Sequence, residues 1–187
     1  MRRQDLAATF WLGYNVGYFC FKTTFDKISR LSEEFSFLLD NLRRLKLDGS
    51  EVFGEAKTLA EKIAVLDKEK SLDRQAAEDT FARAFRWRDQ LAKSLENRGA
   101  FWAGYNLIYL ISQSRRAASA EISRELRFLT ENLKSSGLQV ATILDEVKSM
   151  QVKIQAAPSA KPLDEEKARE LEGACLRWRS EILRSLG

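Results

Sequence analysis

Along the first quarter of the chain, apolar residues recur in alternating steps of four and three. Tyr14, Tyr18, Phe21, Phe25, Ile28, Phe35, Leu38, Leu42 and Leu45 form a near-heptad seam, with Leu31 or Ser32 filling the gap. A side-chain stripe at that period belongs to one face of a helix. The pattern therefore predicts a single long helix from about Gln4 to Leu45, roughly 60 Å in length. Leu47-Asp48-Gly49-Ser50 ends it, and Ser50 is placed to cap a second helix, Glu51 to about Lys68. A third, from about Asp73 to Asn97, carries Phe81, Phe85, Leu91 and Leu95 on its stripe, with Trp87 off the stripe, at an edge or a second contact.

The same plan recurs. A long helix is expected from about Ala100 to Ser135, closed by Gly137. A shorter one follows from Leu138 to Gln155. The loop Ala156 to Pro162 then leads into a last helix that starts at Pro162 or Leu163 and ends near Leu186. A break is expected near Gly99. The recurrence extends to residue identity: 26 residues are identical to the residue 91 places further on. Phe10-Trp11-Leu12-Gly13-Tyr14-Asn15 returns as Phe101-Trp102-Ala103-Gly104-Tyr105-Asn106. Tyr18 returns as Tyr109, and Arg86-Trp87-Arg88 as Arg177-Trp178-Arg179. Self-similarity at one fixed spacing marks an internal duplication.

The fold class is therefore all-α. It is a tandem duplication of a three-helix unit, residues 1–95 and 96–187, with about six helices in one integrated pseudo-twofold bundle. Each long helix outruns its two shorter neighbours. The aromatic starts must then bury against each other, as in a fused homodimer.

Composition adds limits. Thirty-one basic and 27 acidic residues are interspersed, leaving +4 overall and +2 in each half. A nucleic-acid binder concentrates its cations on a face. Met1-Arg2-Arg3 followed by the uncharged run Leu6 to Phe21 resembles the start of an export signal. The second uncharged run, Gly99 to Ser114, lies mid-chain and argues against that reading. Sixteen residues are also short of the ~20 that span a bilayer. Cys20 and Cys175 occupy unrelated positions in the two units and read as core thiols of a cytoplasmic protein.

The chain has no histidine, no Gly-rich phosphate loop and no Glu-x-x-His pair, so no catalytic residue, metal or cofactor is expected. Glu33-Glu34 and Glu165-Glu166 read as solvated surface. The candidate interaction residues are Phe10, Trp11, Tyr14, Asn15 and Tyr18 with Phe101, Trp102, Tyr105, Asn106 and Tyr109. They would form either an apolar-ligand site or a helix–helix interface held close by Gly13 and Gly104. The interface reading is favoured, because aromatic stripes at helical spacing usually build cores. The candidate anion contacts are Arg86, Trp87, Arg88, Arg177, Trp178 and Arg179, joined by Arg115 and Arg116.

The copies diverge in their phenylalanines, nine of eleven of which lie in the first unit. Phe21, Phe25 and Phe81 correspond to Ser112, Arg116 and Glu172. A contact of Phe25 with Phe81 would then be replaced by an Arg116–Glu172 ion pair. The expected function is a non-catalytic helical interaction or scaffold protein, acting through helix faces or an inter-repeat groove. Its expected partner is another protein, with self-association as a further option. The alternative is nucleic-acid or anion binding through the Arg-Trp-Arg segments. A third reading, peripheral membrane association through the aromatic helix starts, ranks last.

Overall fold

The computed structural model describes residues 3–138 and 140–186; Met1, Arg2, Gln139 and Gly187 lie outside it, and with them most of the basic start. Its described residues form eight helices and no extended sheet: α1 (Arg3–Phe21), α2 (Ile28–Arg44), α3 (Glu51–Ala64), α4 (Arg74–Ser94), α5 (Arg98–Gln113), α6 (Ser119–Ser135), α7 (Ala141–Gln155) and α8 (Glu165–Leu186). The fold is all-α, as the pattern predicts. The three-helix unit is corrected to four helices in each half. Each expected long helix is broken, after Phe21 and after Gln113, and folds back on itself.

The break has a physical cause outside the segment. Neither Lys27 nor Ala118, the residues preceding α2 and α6, supplies a side-chain cap. The first N–H groups of α2 instead donate to a distant loop, Ile28 to the Lys70 carbonyl at 2.7 Å and Ser29 to that of Lys68 at 3.1 Å. Ser119 and Ala120 do the same with Lys161 and Ser159, at 2.8 and 3.1 Å. Orphan helix-start donors must find acceptors. Here those acceptors come from the loop between the third and fourth helices of the same half. At the end of α1, Thr23 turns its hydroxyl back to the Phe19 carbonyl at 2.6 Å.

Local signals set the other ends. Ser50 accepts from the Phe53 N–H at 3.2 Å, as expected of a cap. Asp73, Asn97 and Asp164 accept in the same way from Ala76, Ala100 and Lys167. Gly137 closes α6 with φ 73°, and Lys46 holds the equivalent left-handed position after α2 with φ 58°. Glycine adopts that conformation freely, whereas a lysine is strained there by about 1 kcal/mol. The chain breaks near Gly99 as expected, between Ser94 and Arg98.

α1 and α5 cross at the centre of the molecule; α2 and α4 pack on α1, α6 and α8 pack on α5, and α3 and α7 lie outside them against the other helices of their own half. A Cβ built on Gly13 would lie 1.8 Å from the Phe101 carbonyl oxygen, and one on Gly104 would lie 2.0 Å from that of Phe10. Only glycines allow this approach. The crossing also exchanges side chains. Phe10 packs into the core of the second half, and Phe101, Tyr105 and Ile108 into that of the first.

Two core assignments change. Trp87, expected off the stripe at an edge or a second contact, is fully buried in the centre of the first core, and Trp178 is buried likewise in the second. The inward face of α4 is Ala77, Thr80, Ala84, Trp87 and Leu91. That face turns Phe81 outward, 45% exposed, and Phe25 is 58% exposed. Cys20 and Cys175 are free and buried, and burial raises both thiols, Cys20 to about 12.

Candidate functional site

The repeated aromatic segment serves first as structure. Phe10 and Phe101 are wholly inside, and Tyr14, Tyr105 and Tyr18 nearly so. Trp11, Trp102 and Tyr109 are half-buried. Tyr14 receives a hydrogen bond from Arg179 Nη1 at 2.8 Å, and Tyr105 receives one from Arg88 Nη1 at 3.2 Å. Each bond joins one half to the other. Burial raises both phenol pKa values, against the opposing pull of the arginines.

Asn15 and Asn106 act within their own halves. Asn15 Nδ2 donates to Glu34 at 2.7 Å and Asn15 Oδ1 accepts from Asn41 at 3.1 Å. Asn106 donates to Glu125 and accepts from Asn132 at 2.8 Å. The reading of Glu34 as solvated surface is therefore corrected: it is 3% exposed and also pairs with Arg30 at 2.8 Å. Glu165 is exposed, as expected, and binds Arg115 and Arg169. The signal for the network was present, since Glu34, Asn41 and Glu55 all recur 91 residues on, as Glu125, Asn132 and Glu146.

Burial raises the pKa of both Glu34 and Glu125, opposed by their Asn partners and by nearby arginines, Arg30 at Glu34 and Arg124 at Glu125. A carboxylate raised in the folded state contributes stability that is fully present below its unfolded value of 4.5. That contribution is lost as pH rises through the folded value. Gln at 125 keeps an acceptor for Asn106 without the buried charge. Glu125→Gln is therefore expected to raise the melting temperature at pH 7 and to match wild type near pH 4. Equal melting temperatures at both pH values would show that Glu125 carries no such penalty.

The Arg-Trp-Arg segments are committed internally. Trp87 Nε1 donates to Glu55 and Trp178 Nε1 to Glu146, both at 2.8 Å. Neither indole can reach a nucleic-acid base. Arg86 lies 3.5 Å from Glu55 and Arg177 lies 4.0 Å from Glu146. Burial raises Glu55, but the Trp87 N–H together with Arg83 and Arg86 outweighs it and leaves its pKa lowered.

Arg115, not Arg116, meets Glu172, at 2.9 and 3.1 Å, and also holds Glu165. Arg116 instead stacks on Phe25 across the boundary between the halves, 4.2 Å from the ring centroid. Phe81 contacts Phe85 at 4.7 Å between centroids.

Three openings to solvent involve the candidate residues. One is an aromatic groove of about 360 Å³ between the halves, with Phe21, Phe25, Phe81 and Phe85 facing Tyr109 and Gln113. Arg88 stacks on Phe85 at 4.8 Å, and Arg116 on Phe25, so guanidinium groups edge the groove. At the corresponding place in the second half, Ser114 and Arg115 bind Glu172 instead. A second is a cleft of about 430 Å³ that brings together Trp11, Tyr14, Asn15 and Arg179 with α2. A smaller cleft of about 350 Å³ holds Trp102, Tyr105 and Asn106 against α6.

Among the described residues, no three Cys, Asp or Glu side chains gather as metal ligands, and no helix is long and apolar enough to cross a membrane. No protein family, curated protein or solved structure matches the chain.

Proposed function

We propose that this protein is a non-catalytic interaction module of the cytoplasm. Two pseudo-twofold halves of duplicated origin are fused into one domain, and the groove between them receives an apolar segment of a partner protein. The observation that carries this reading is the pair Phe25 and Phe81, which are 58% and 45% exposed. The second half folds into corresponding helices with Arg116 and Glu172 at those positions. The fold therefore does not require the two phenyl groups. Large apolar side chains exposed together around a groove mark an interaction site. The groove's cationic edge, Arg88 and Arg116, favours a partner whose apolar anchors are flanked by acidic residues.

Selection of short peptides against the full chain tests this, with counter-selection against Phe25→Ser/Phe81→Ser. The expected winners carry an aromatic or aliphatic anchor beside Asp or Glu, and bind the double variant about tenfold more weakly or worse, as loss of interface anchors implies. The variant should melt within a few degrees of wild type, because both residues are only about half buried. Selection without a consensus, or peptides that bind the variant equally well, would refute the groove as the docking site.

The nucleic-acid alternative has less support. Both Trp rings of the Arg-Trp-Arg segments are inside, and their arginines already face carboxylates or phenols.

A further inference from the structure

The two clefts share their walls and differ in their rims. All six residues lining the second cleft, Trp102, Tyr105, Asn106, Glu125, Phe128 and Asn132, are identical to the residues 91 places earlier. Those six earlier residues all line the first cleft. Burial explains most of this retention, but not all. Phe37 and Phe128 are 53% and 38% exposed, and each lines its cleft. A phenyl group kept exposed in the lining of both clefts has no role in either core.

The residues at the corresponding surrounding positions differ in charge. Arg30, Arg44 and Arg179 line the first cleft. In the second half Glu121, Glu131 and Ser135 stand where Arg30, Asp40 and Arg44 would recur, and Arg88, on Tyr105, keeps the place of Arg179. Against its three guanidinium groups the first cleft sets the carboxylates of Glu34 and Asp40, leaving one net positive charge. Glu34 is already held by Arg30 and Asn15, and Asp40 by Arg43 at 2.8 Å. A cationic ligand would have to displace those partners. An anion would not, because Arg44 has no ion pair or hydrogen bond to any other described residue. Arg179 uses one N–H on Tyr14, and a guanidinium carries five. The cleft volume lies in the lower part of the range for small-molecule sites.

We propose that the cleft formed by α1, α2 and α8 binds a small planar aromatic monoanion, its ring between Trp11 and Phe37 and its acidic group at Arg44 and Arg179. The site is separate from the aromatic groove, and neither proposal depends on the other.

The test uses two dyes that share their rings, 8-anilinonaphthalene-1-sulfonate and the uncharged N-phenyl-1-naphthylamine. Each is titrated into the full chain by fluorescence. The sulfonate is expected to bind at least tenfold more tightly than the neutral dye. Arg30→Glu/Arg44→Ser, which installs the rim residues of the second cleft, should weaken the sulfonate at least tenfold and leave the neutral dye unchanged. Arg44→Ser alone, at an exposed position, should give part of that loss and guards against misfolding of the double variant. Phe25→Ser/Phe81→Ser should leave sulfonate binding intact. Equal affinity for the two dyes, no sulfonate binding, or loss in the groove variant instead of the rim variants would overturn the proposal.

Discussion

Gly13→Ala is expected to destabilise the protein by about 3 kcal/mol, the upper end of overpacking costs. The added methyl would sit 1.8 Å from the Phe101 carbonyl oxygen and 2.7 Å from its carbon. Those atoms are backbone, so no rotamer change relieves the clash, and α1 and α5 must move apart. The movement would also withdraw Phe10 and Phe101 from the cores that each one completes. Gly104→Ala should cost as much, since its methyl would lie 2.0 Å from the Phe10 oxygen. One separation of α1 and α5 relieves both clashes, so the double variant is expected to cost less than the sum of the two single changes. Gly54 provides the control: it lies inside α3, and a methyl group added there would meet nothing within 4 Å. Gly54→Ala should stabilise by about 0.5–1 kcal/mol through helix propensity. Urea unfolding followed by circular dichroism measures all four. Wild-type stability for Gly13→Ala would mean that the helices do not cross at this distance.

Trp178→Ala should cost about 3–5 kcal/mol, as is usual when a buried tryptophan site is emptied. Its ring is 1% exposed at the centre of the second core, and its N–H is the close donor to Glu146. Trp178→Phe keeps most of the volume and loses that donor, so about 1.5–3 kcal/mol is expected for a hydrogen bond to a charged group. The first half should differ in degree. Glu55 retains Arg83 at 3.3 Å and Arg86 at 3.5 Å when Trp87 is replaced by Phe, whereas Glu146 retains Arg177 at 4.0 Å. Trp87→Phe is thus expected to be the milder change. Because each core contains a phenylalanine from the other half, all these variants should still unfold in one transition. Two separate transitions in urea would show that the halves are independent.

Much of the fold is legible before any coordinates. The 3.6-residue periodicity places helix in nearly every segment where helix occurs, and Ser50 and Gly137 mark their boundaries correctly. The 91-residue spacing singles out Gly13 and Gly104, and glycine inside an aromatic stripe already signals close approach. Three assignments failed for reasons that local pattern cannot detect. Phe21, Phe25 and Ile28 stay in heptad phase across a break, so periodicity runs straight through the turn between α1 and α2. Glu34 sits among charged neighbours and looks solvated, yet Asn15, 19 residues earlier, draws it inside. Arg115 and Arg116 are adjacent, and only the turn after α5 decides which of them faces Glu172 and which lies over Phe25.

Side-chain order alone thus established an all-helical chain, its 91-residue recurrence, and the aromatic and glycine residues at its centre, because these depend on period and composition within each segment. The chain reversals and the exchange of Phe10 and Phe101 between cores were settled in three dimensions. Each depends on hydrogen-bond and charge partners tens of residues away, such as the Lys70 carbonyl that receives the Ile28 N–H. Those partners become neighbours only when helices pack, and no local pattern records them.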